Sequence, residues 1–546
     1  MILRSIFILL MVVLAACAQE STPTGGIKDE IAPEPVMVTP GPMSLNFRGQ
    51  QFEYLFDEYI QADEFSQQLL VSPPLTRVAD YKLRGRKLTV FWDEQLLENT
   101  TYQFNLGQAV KDLNEGNVND QLVYVFSTGG YIDSMSVSGK VYDAFSNAPV
   151  EKAKVLLYKQ YQDSLPYTTA PDYLAITDKD GLFTAKYLSP DTFKLFVLQE
   201  ESSNYKYDGP PERIGFVDYL VRAAYDDTTY SHVLALFEEA DTSQYIKSGK
   251  GKDYGYYETV FNIPVENPLI TFTDEENNEV LEAINLLNAN GDTLKSWVSL
   301  LEKVALEEVT VITVDGKALA DTTAWYIETD PKYREKAKLI VSASTSGGNI
   351  DGKKPVTLSF NNPLEMADTT LITLLEDSVE IHPSSMNMGT LMRKLDVHYL
   401  FAKNRSYTLV ANAGAFKDIY GNYSDSLGFI FGLRPDDYYG SLIVKVMLND
   451  SLDNPNLIVH LKKGTEQIVK SFTISETGVL DFGKLIPGKY TLTGIFDENG
   501  DGKWTTGNYT LNRQPERQVF YVGELDIRSN WVVDIDWIPG TPFDTP

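Results

Sequence analysis

One cysteine, four histidines and a shortage of cations bound what this chain can do. With Cys17 as the only thiol there is no intrachain disulfide, so stability must come from burial. The histidines His232, His382, His398 and His460 show no metal-ligand spacing, and no HExxH, CxxC or GxSxG pattern occurs. Zinc, thiol and serine-hydrolase chemistry therefore lack their parts. Cations number 47 against 76 acidic residues, a formal charge of −29, which repels nucleic acid and anionic lipid. The charges are scattered and 43% of residues are hydrophobic, enough for packed cores rather than an acidic disordered tail. No segment after the start is apolar for the ~20 residues that a membrane helix needs.

The chain opens MILRSIFILLMVVLAAC, with Arg4 before an apolar run from Ile6 to Leu14 that is too short to span a bilayer. Small residues lead to Cys17, and Leu14-Ala15-Ala16-Cys17 resembles a bacterial lipobox. That resemblance implies cleavage before Cys17 and acylation of its thiol and new amino terminus. Each buried methylene contributes ~0.8 kcal/mol, so two or more chains anchor stably where one does not. Ala18 rather than Asp follows the cysteine, which favours the outer membrane and leaves the leaflet open.

After a Pro-, Gly- and Thr-rich tether to Pro42, nearly every segment reads as a short strand. QFEYLFDEYI, KLTVFWDEQL, TYQFNLGQAV and QLVYVFSTG alternate aromatic or β-branched residues with polar ones, and Tyr and Phe total 58. Helical periodicity is scarce, and NNEVLEAINLLNANGD is predicted to be a strand ending at an Asn-Gly turn.

The chain also repeats itself. Residues 181–208 align with 478–505 without a gap at an offset of 297, and Pro211-Glu212-Arg213 answers Pro515-Glu516-Arg517 after a seven-residue insertion. Residues 96–117 parallel 401–422, pairing Asn99 and Tyr102 with Asn404 and Tyr407, and Lys111-Asp112 with Lys417-Asp418. An A–B pair thus occurs twice around a distinct middle segment, opened by the linker-like KSGKGKDYGYYE (247–258).

The Thr-Tyr strand, Lys-Asp turn and closing Phe-Ser-Thr-Gly resemble the bacterial Ig-like domain of S-layer proteins. The second copy keeps the Tyr and the Lys-Asp but closes on Phe429-Ile430-Phe431-Gly432. The B segment, SVSGKVYDAFSNAPVEKAKVLLYK onward, is similar to transthyretin-like or carboxypeptidase-regulatory-like sandwiches. The order of parts resembles lipoproteins of Bacteroidota. What this implies is an all-β fold of tandem Ig-like and transthyretin-like β-sandwiches in an extended multidomain chain. The expected parts are a signal peptide (1–16), the lipidated cysteine and tether (17–42), an Ig-like domain (43–130) and a regulatory-like sandwich (131–235). A middle β domain with linker (236–338), a second Ig-like domain (339–434) and a second regulatory-like sandwich (435–546) follow.

DENGDGKW (497–504) mimics the start of a calcium loop. An EF-hand also requires a bidentate acid at the twelfth position, here Asn508, and flanking helices in place of the strands KYTLTGIF and KW. In the first copy the matching positions are Glu200, Ser202 and Asn204. Two readings stay open: a polar hairpin using Asp, Asn and Gly as turn residues, or a structural calcium held by Asp497, Asn499 and Asp501. GGNIDGKK (347–354) misses the Ser or Thr of a phosphate loop and runs into the strand PVTLSF. The acid pairs Asp57-Glu58 and Asp93-Glu94 repeat at strand ends, which strand chemistry explains more simply than a glycosidase dyad. DYGYYE (253–258) and PDDYYG (435–440) are Tyr-rich and fall at expected domain junctions, suited either to packing there or to binding protein or glycan.

The expected function is a non-enzymatic outer-membrane lipoprotein, held by its N-terminal lipid with no catalytic residues. It would act as a scaffold or binding arm for an envelope protein, as accessory to an assembly or transport complex. The alternative is a surface lipoprotein that binds glycan in support of nutrient uptake. No cofactor is expected, a structural calcium at Asp497, Asn499 and Asp501 being the alternative left open.

Overall fold

The computed structural model describes residues 29–540 apart from 201–203, 242–243, 269, 274–279, 299–307, 312–320, 324–337, 346–347, 352–353, 449–455 and 465–466. The fold is all-β and forms two compact units. One runs to Glu239 and includes Gly507–Pro515; the other comprises Ala240–Thr506 and the chain from Glu516.

The first unit begins with an Ig-like sandwich. Gln51–Phe56 lies between Pro35–Thr39 and Lys87–Phe91, with Asp80–Arg84 at the edge. The facing sheet is Val123–Ser127, Thr101–Asn105 and Leu70–Ser72. The two-residue period of a strand turns Phe52, Tyr54 and Phe56 to one side, where they bury against Phe104, Tyr124 and Phe126. Phe52 stacks on Tyr124 at 4.0 Å between ring centroids.

Each residue paired between the Ig-like copies has a mechanical task. Tyr102 Oη accepts the N–H of Leu97 at 3.0 Å, and Tyr407 Oη accepts that of Ala402 at 2.8 Å, a tyrosine corner in both domains. Asn99 and Asn404 take the left-handed conformation that the corner requires, with φ of 50° and 60°. Asp112 is buried in the Lys-Asp turn and accepts the backbone N–H groups of Asn114, Glu115, Gly116 and Asn117. Lys111 meanwhile reaches Asp63 at 2.6 Å. The closing Thr128 donates to Leu97 O at 2.7 Å and accepts from Thr100 N at 2.9 Å, fastening the corner loop. Tyr102→Phe removes a single bond and is expected to cost this domain about 1 kcal/mol, read from faster amide exchange at Thr101–Asn105.

The B sandwich of this unit pairs Met135–Asp143 antiparallel with Leu182–Leu188 and parallel with His232–Glu238. Lys154–Tyr158 sits between Tyr173–Ile176 and Thr192–Gln199. Arg213–Phe216 joins Thr192–Gln199 to His232–Glu238, making the two layers one continuous sheet. The edge strand Tyr173–Ile176 is covered: Leu174 is buried and its N–H donates to Ser72 Oγ at 2.9 Å.

Gly507–Pro515, the stretch that the insertion lengthens, completes the aromatic outer layer of this sandwich. Tyr509 packs edge-on against Phe196 and Phe216, at 5.4 and 5.0 Å. Its hydroxyl donates to Asp163 O at 2.8 Å, and its N–H donates to Glu239 Oε1 at 2.5 Å. Gln514 Nε2 donates to Phe216 O at 3.0 Å. At Gly507 a Cβ would lie 2.5 Å from the Phe237 ring, so a larger residue there would have to displace that ring.

The second unit opens with the middle segment. The stretch 247–258, expected as a linker, is instead a β-hairpin: Ile246–Asp253 pairs with Tyr256–Phe261, which pairs with Thr293–Val298. Its Gly- and Lys-rich composition reads as flexible, whereas its neighbour Tyr256–Phe261 is held from the other side by Thr293–Val298, far along the chain. Ala283–Leu287 is a strand as expected, with Gly291 in the turn after it at φ 76°. Tyr256 stacks on Trp297 at 5.0 Å, and the Arg393 guanidinium lies 4.3 Å from the Trp297 ring. Tyr254 meets Tyr420 of the second Ig-like domain at 5.4 Å, so DYGYYE packs a joint.

The second A–B pair reproduces the first. Val341–Ala343, Val356–Phe360, Lys394–His398 and Ser385–Met388 follow the same order as the first four-stranded sheet. Tyr407–Ala411 lies between Ile372–Glu376 and Leu427–Leu433. In the last sandwich Gly440–Val446 pairs antiparallel with Gly478–Leu485 and parallel with Val532–Trp537. Leu457–Lys463 sits between Gln467–Ile474 and Gly488–Phe496.

Candidate binding groove

Cys17 lies outside the described residues. Asp497, Asn499 and Asp501 come together in one loop, with their oxygens turned to hydrogen donors. Asp497 is buried; one oxygen accepts the N–H groups of Gly500 and Asp501, the other those of Gly502 N and Asn456 Nδ2. Asn499 Oδ1 accepts from Asp501 N at 2.8 Å, and Asp501 accepts from Lys503 N and Thr505 Oγ1. Buried Glu516 takes the N–H groups of Glu498, Asn499 and Thr505. Calcium takes six to eight oxygens around one centre, whereas here the side-chain oxygens of Asp497, Asn499 and Asp501 are engaged by donors of the loop and its neighbours. Among the described residues no group of three His, Cys, Asp or Glu side chains is placed to hold a metal. In the first copy Glu200 accepts the N–H groups of Asn204 and Tyr205, the same work with a longer acid. The motif caps a turn. Calcium against a chelator is therefore expected to leave the unfolding temperature unchanged; a rise with calcium would restore the metal reading.

The acid pairs likewise serve loops. Asp57 accepts Glu34 N, and Glu94 accepts Thr76 N and Arg77 N. Of the histidines, His460 bonds Ser471 Oγ and His232 bonds Tyr219 Oη, with burial pushing both imidazoles below their usual range.

PDDYYG leads to a different feature, a groove of about 760 Å³ where the second Ig-like domain meets the last sandwich. Five cations line it, Lys354, Lys403, Arg434, Lys463 and Lys484, against two carboxylates. Both carboxylates hold the walls in place. Asp351 Oδ1 accepts from Arg434 Nη1 at 2.8 Å and from Tyr439 Oη at 2.5 Å. Asp436 pairs with Lys403 and with Lys484, the latter at 2.7 Å. These lysines hold the Asp436 carboxyl down at about 2, so the carboxylate stays charged through the ordinary carboxylate range. Burial, helped by Asp351, pushes the Tyr439 hydroxyl up to about 12. Lys403 and Lys484 remain more than half exposed, at 60% and 65%, and present their charge to solvent. The cations come from separate loops and strand ends, so no local run of sequence announces them; only the Tyr-rich junction marked the place.

What this defines is a chain of β-sandwiches, Ig-like in part, with a cationic groove built into its second half. A family model described as bacterial Ig-like domain matches residues 29–128. No curated protein matches the chain. Among solved structures, the S-layer protein rSbsC(31-844) is 11% identical over 91% of this chain and 67% of that one, with a TM-score of 0.15. The major pilin subunit of Bacillus cereus is 10% identical over 74% of this chain and 100% of its own, at 0.15. A Bacteroides ovatus mixed-linkage glucan utilization locus protein, SGBP-B, solved with a mixed-linkage heptasaccharide, is 10% identical over 73% and 95%, at 0.19. Overlaps this low do not bear on what this chain does.

Proposed function

We propose that this protein is a lipid-anchored, non-enzymatic component of the outer membrane whose tandem sandwiches hold a contact surface for another envelope protein. Its place would be that of an accessory to an assembly or transport complex. The two B modules are read as transthyretin-like or carboxypeptidase-regulatory-like sandwiches, supported by their matching strand connections. The observation that carries the reading is the groove: five cations gathered in a chain of net charge −29, on walls fixed by Asp351 and Asp436. Such a local reversal of sign steers an anionic partner and sets its register. The glycan alternative requires a bare aromatic platform. Here Lys484 lies over the Tyr439 ring at 5.7 Å, Lys463 over Tyr490 at 5.6 Å, and Arg434 over Tyr438 at 5.0 Å, which favours a protein partner.

Anchorage rests on Cys17, and among the described residues no helix is long and apolar enough to cross a membrane. Cys17→Ser is expected to move the chain from the membrane to the soluble fraction on cell fractionation. Full membrane retention of that variant would refute lipid anchorage. Protease treatment of intact cells reads the leaflet.

A further inference from the structure

Duplication supplies a comparison inside one chain. In the first B sandwich the edge strand Tyr173–Ile176 is buried from Tyr173 to Ala175, and its outward N–H at Leu174 is taken by Ser72 Oγ. In the second the corresponding edge strand, Gln467–Ile474, is exposed along most of its length. Ser471 holds the place of Leu174: it pairs with His460, itself paired to Thr493, as Leu174 pairs with Leu156 and Leu156 with Phe196. The Ser471 N–H therefore points away from the sheet.

Exposed edges are normally guarded, most often by lysine or a bulge. The bulge here falls at Val469, between Ile468 and Lys470, and leaves Lys470–Ile474 in regular register. Lys470 does not guard the edge: its Nζ folds back onto Asp481 O at 3.0 Å and lies 5.0 Å from the Phe472 ring. Ile468 and Val469, 50% and 42% exposed, lead this open edge into the groove that they help to line.

We propose that Gln467–Ile474 accepts an added β-strand from a partner polypeptide, an extended segment rich in Asp or Glu, whose carboxylates seat on Lys403 and Lys484. Main-chain bonds to the open edge would supply affinity, and the lysines would fix register and exclude neutral or basic strands. This rests on the protein-contact reading above and names the site and chemistry of the contact. An acidic polysaccharide would use the lysines but has no use for the edge amides, which separates the two.

The test uses the full chain as Cys17→Ser in solution, with an extended peptide alternating valine and glutamate, the same peptide with lysine for glutamate, and polygalacturonate as probes. The acidic peptide is expected to bind and to slow amide exchange at Ser471 and Thr473, while the basic peptide does not bind. Lys403→Glu and Lys484→Glu, both at exposed positions, are each expected to weaken binding by about tenfold. Ser471→Pro removes the outward N–H and should weaken it comparably, with Thr473→Pro as a second probe of the same edge. Polygalacturonate binding that is lost in the lysine variants and indifferent to Ser471→Pro would overturn the proposal in favour of a polyanion site. No peptide binding, or binding without slowed exchange, would also overturn it. Membrane fractionation is independent of all these outcomes, so this inference and the anchorage reading fail separately.

Discussion

Asp418→Ala is expected to destabilise the second Ig-like domain by about 4 kcal/mol. Asp418 is fully buried and is the acceptor for four donors. Its Oδ1 takes the N–H groups of Tyr420 and Asn422, at 3.0 and 2.8 Å. Oδ2 takes Asn362 Nδ2 and Asn422 Nδ2, at 2.9 and 3.0 Å. Alanine fills none of these positions, and a buried donor without an acceptor costs about 1–3 kcal/mol. Some of that is recovered where the turn opens to water, which keeps the total near the lower sum. A chain of several domains does not unfold in one step. The measurement is therefore amide exchange at Tyr407–Ala411, which should become markedly faster while the first Ig-like domain is unaffected. Unchanged exchange there would mean that the turn contributes little.

The twin residue in the first copy sets a pH dependence. Burial pushes the Asp112 carboxyl up, but bonds from the Gly116, Asn117, Glu115 and Asn114 amides outweigh it and hold the group below its usual range. A carboxyl lowered in the folded state stabilises fully above its unfolded value, about 3.9, and the contribution disappears as pH falls through the folded value. The first Ig-like domain is thus expected to weaken below about pH 4 and to show no such loss between neutrality and pH 5.

Tyr509→Ala should cost the first unit about 3–4 kcal/mol, because a large ring is deleted from among Phe196, Phe216 and Tyr167. Tyr509→Phe keeps the ring and loses only the bond to Asp163 O, so about 1 kcal/mol is expected. Faster exchange at Arg213–Phe216 in the alanine variant, and near-normal exchange in the phenylalanine variant, would assign the stabilisation to packing. Equal effects of both would assign it to the hydroxyl.

Strand alternation and the repeat were readable because both are local. QFEYLF places every second residue inward regardless of what it meets. Tyr102 and Tyr407 were visible as partners because each bonds backbone only five residues upstream. Asp497 belonged to a pattern that metals and turns share; its geometry was decided by Asn456 and by the loop's own amides. What stayed hidden depends on distant pairing. KSGKGKD has linker composition; it hairpins onto Tyr256–Phe261, and only the distant Thr293–Val298 on that strand's other side makes the pair part of a sheet. An alignment marks the insertion before Pro515 only as a gap, whereas its packing against Phe196 and Phe216 makes it part of the first unit. The groove was least legible, since Lys354, Lys403 and Lys484 become neighbours only once two sandwiches are folded.

The proposed role is contact with an envelope protein through that groove. The most direct measurement is reversible crosslinking on intact cells, followed by purification from native membranes of the wild-type chain and of the Lys403→Glu, Lys484→Glu double variant. A defined envelope protein recovered with the wild type and lost with the double variant is the expected result. Membranes that yield no crosslinked protein with the wild type would contradict it.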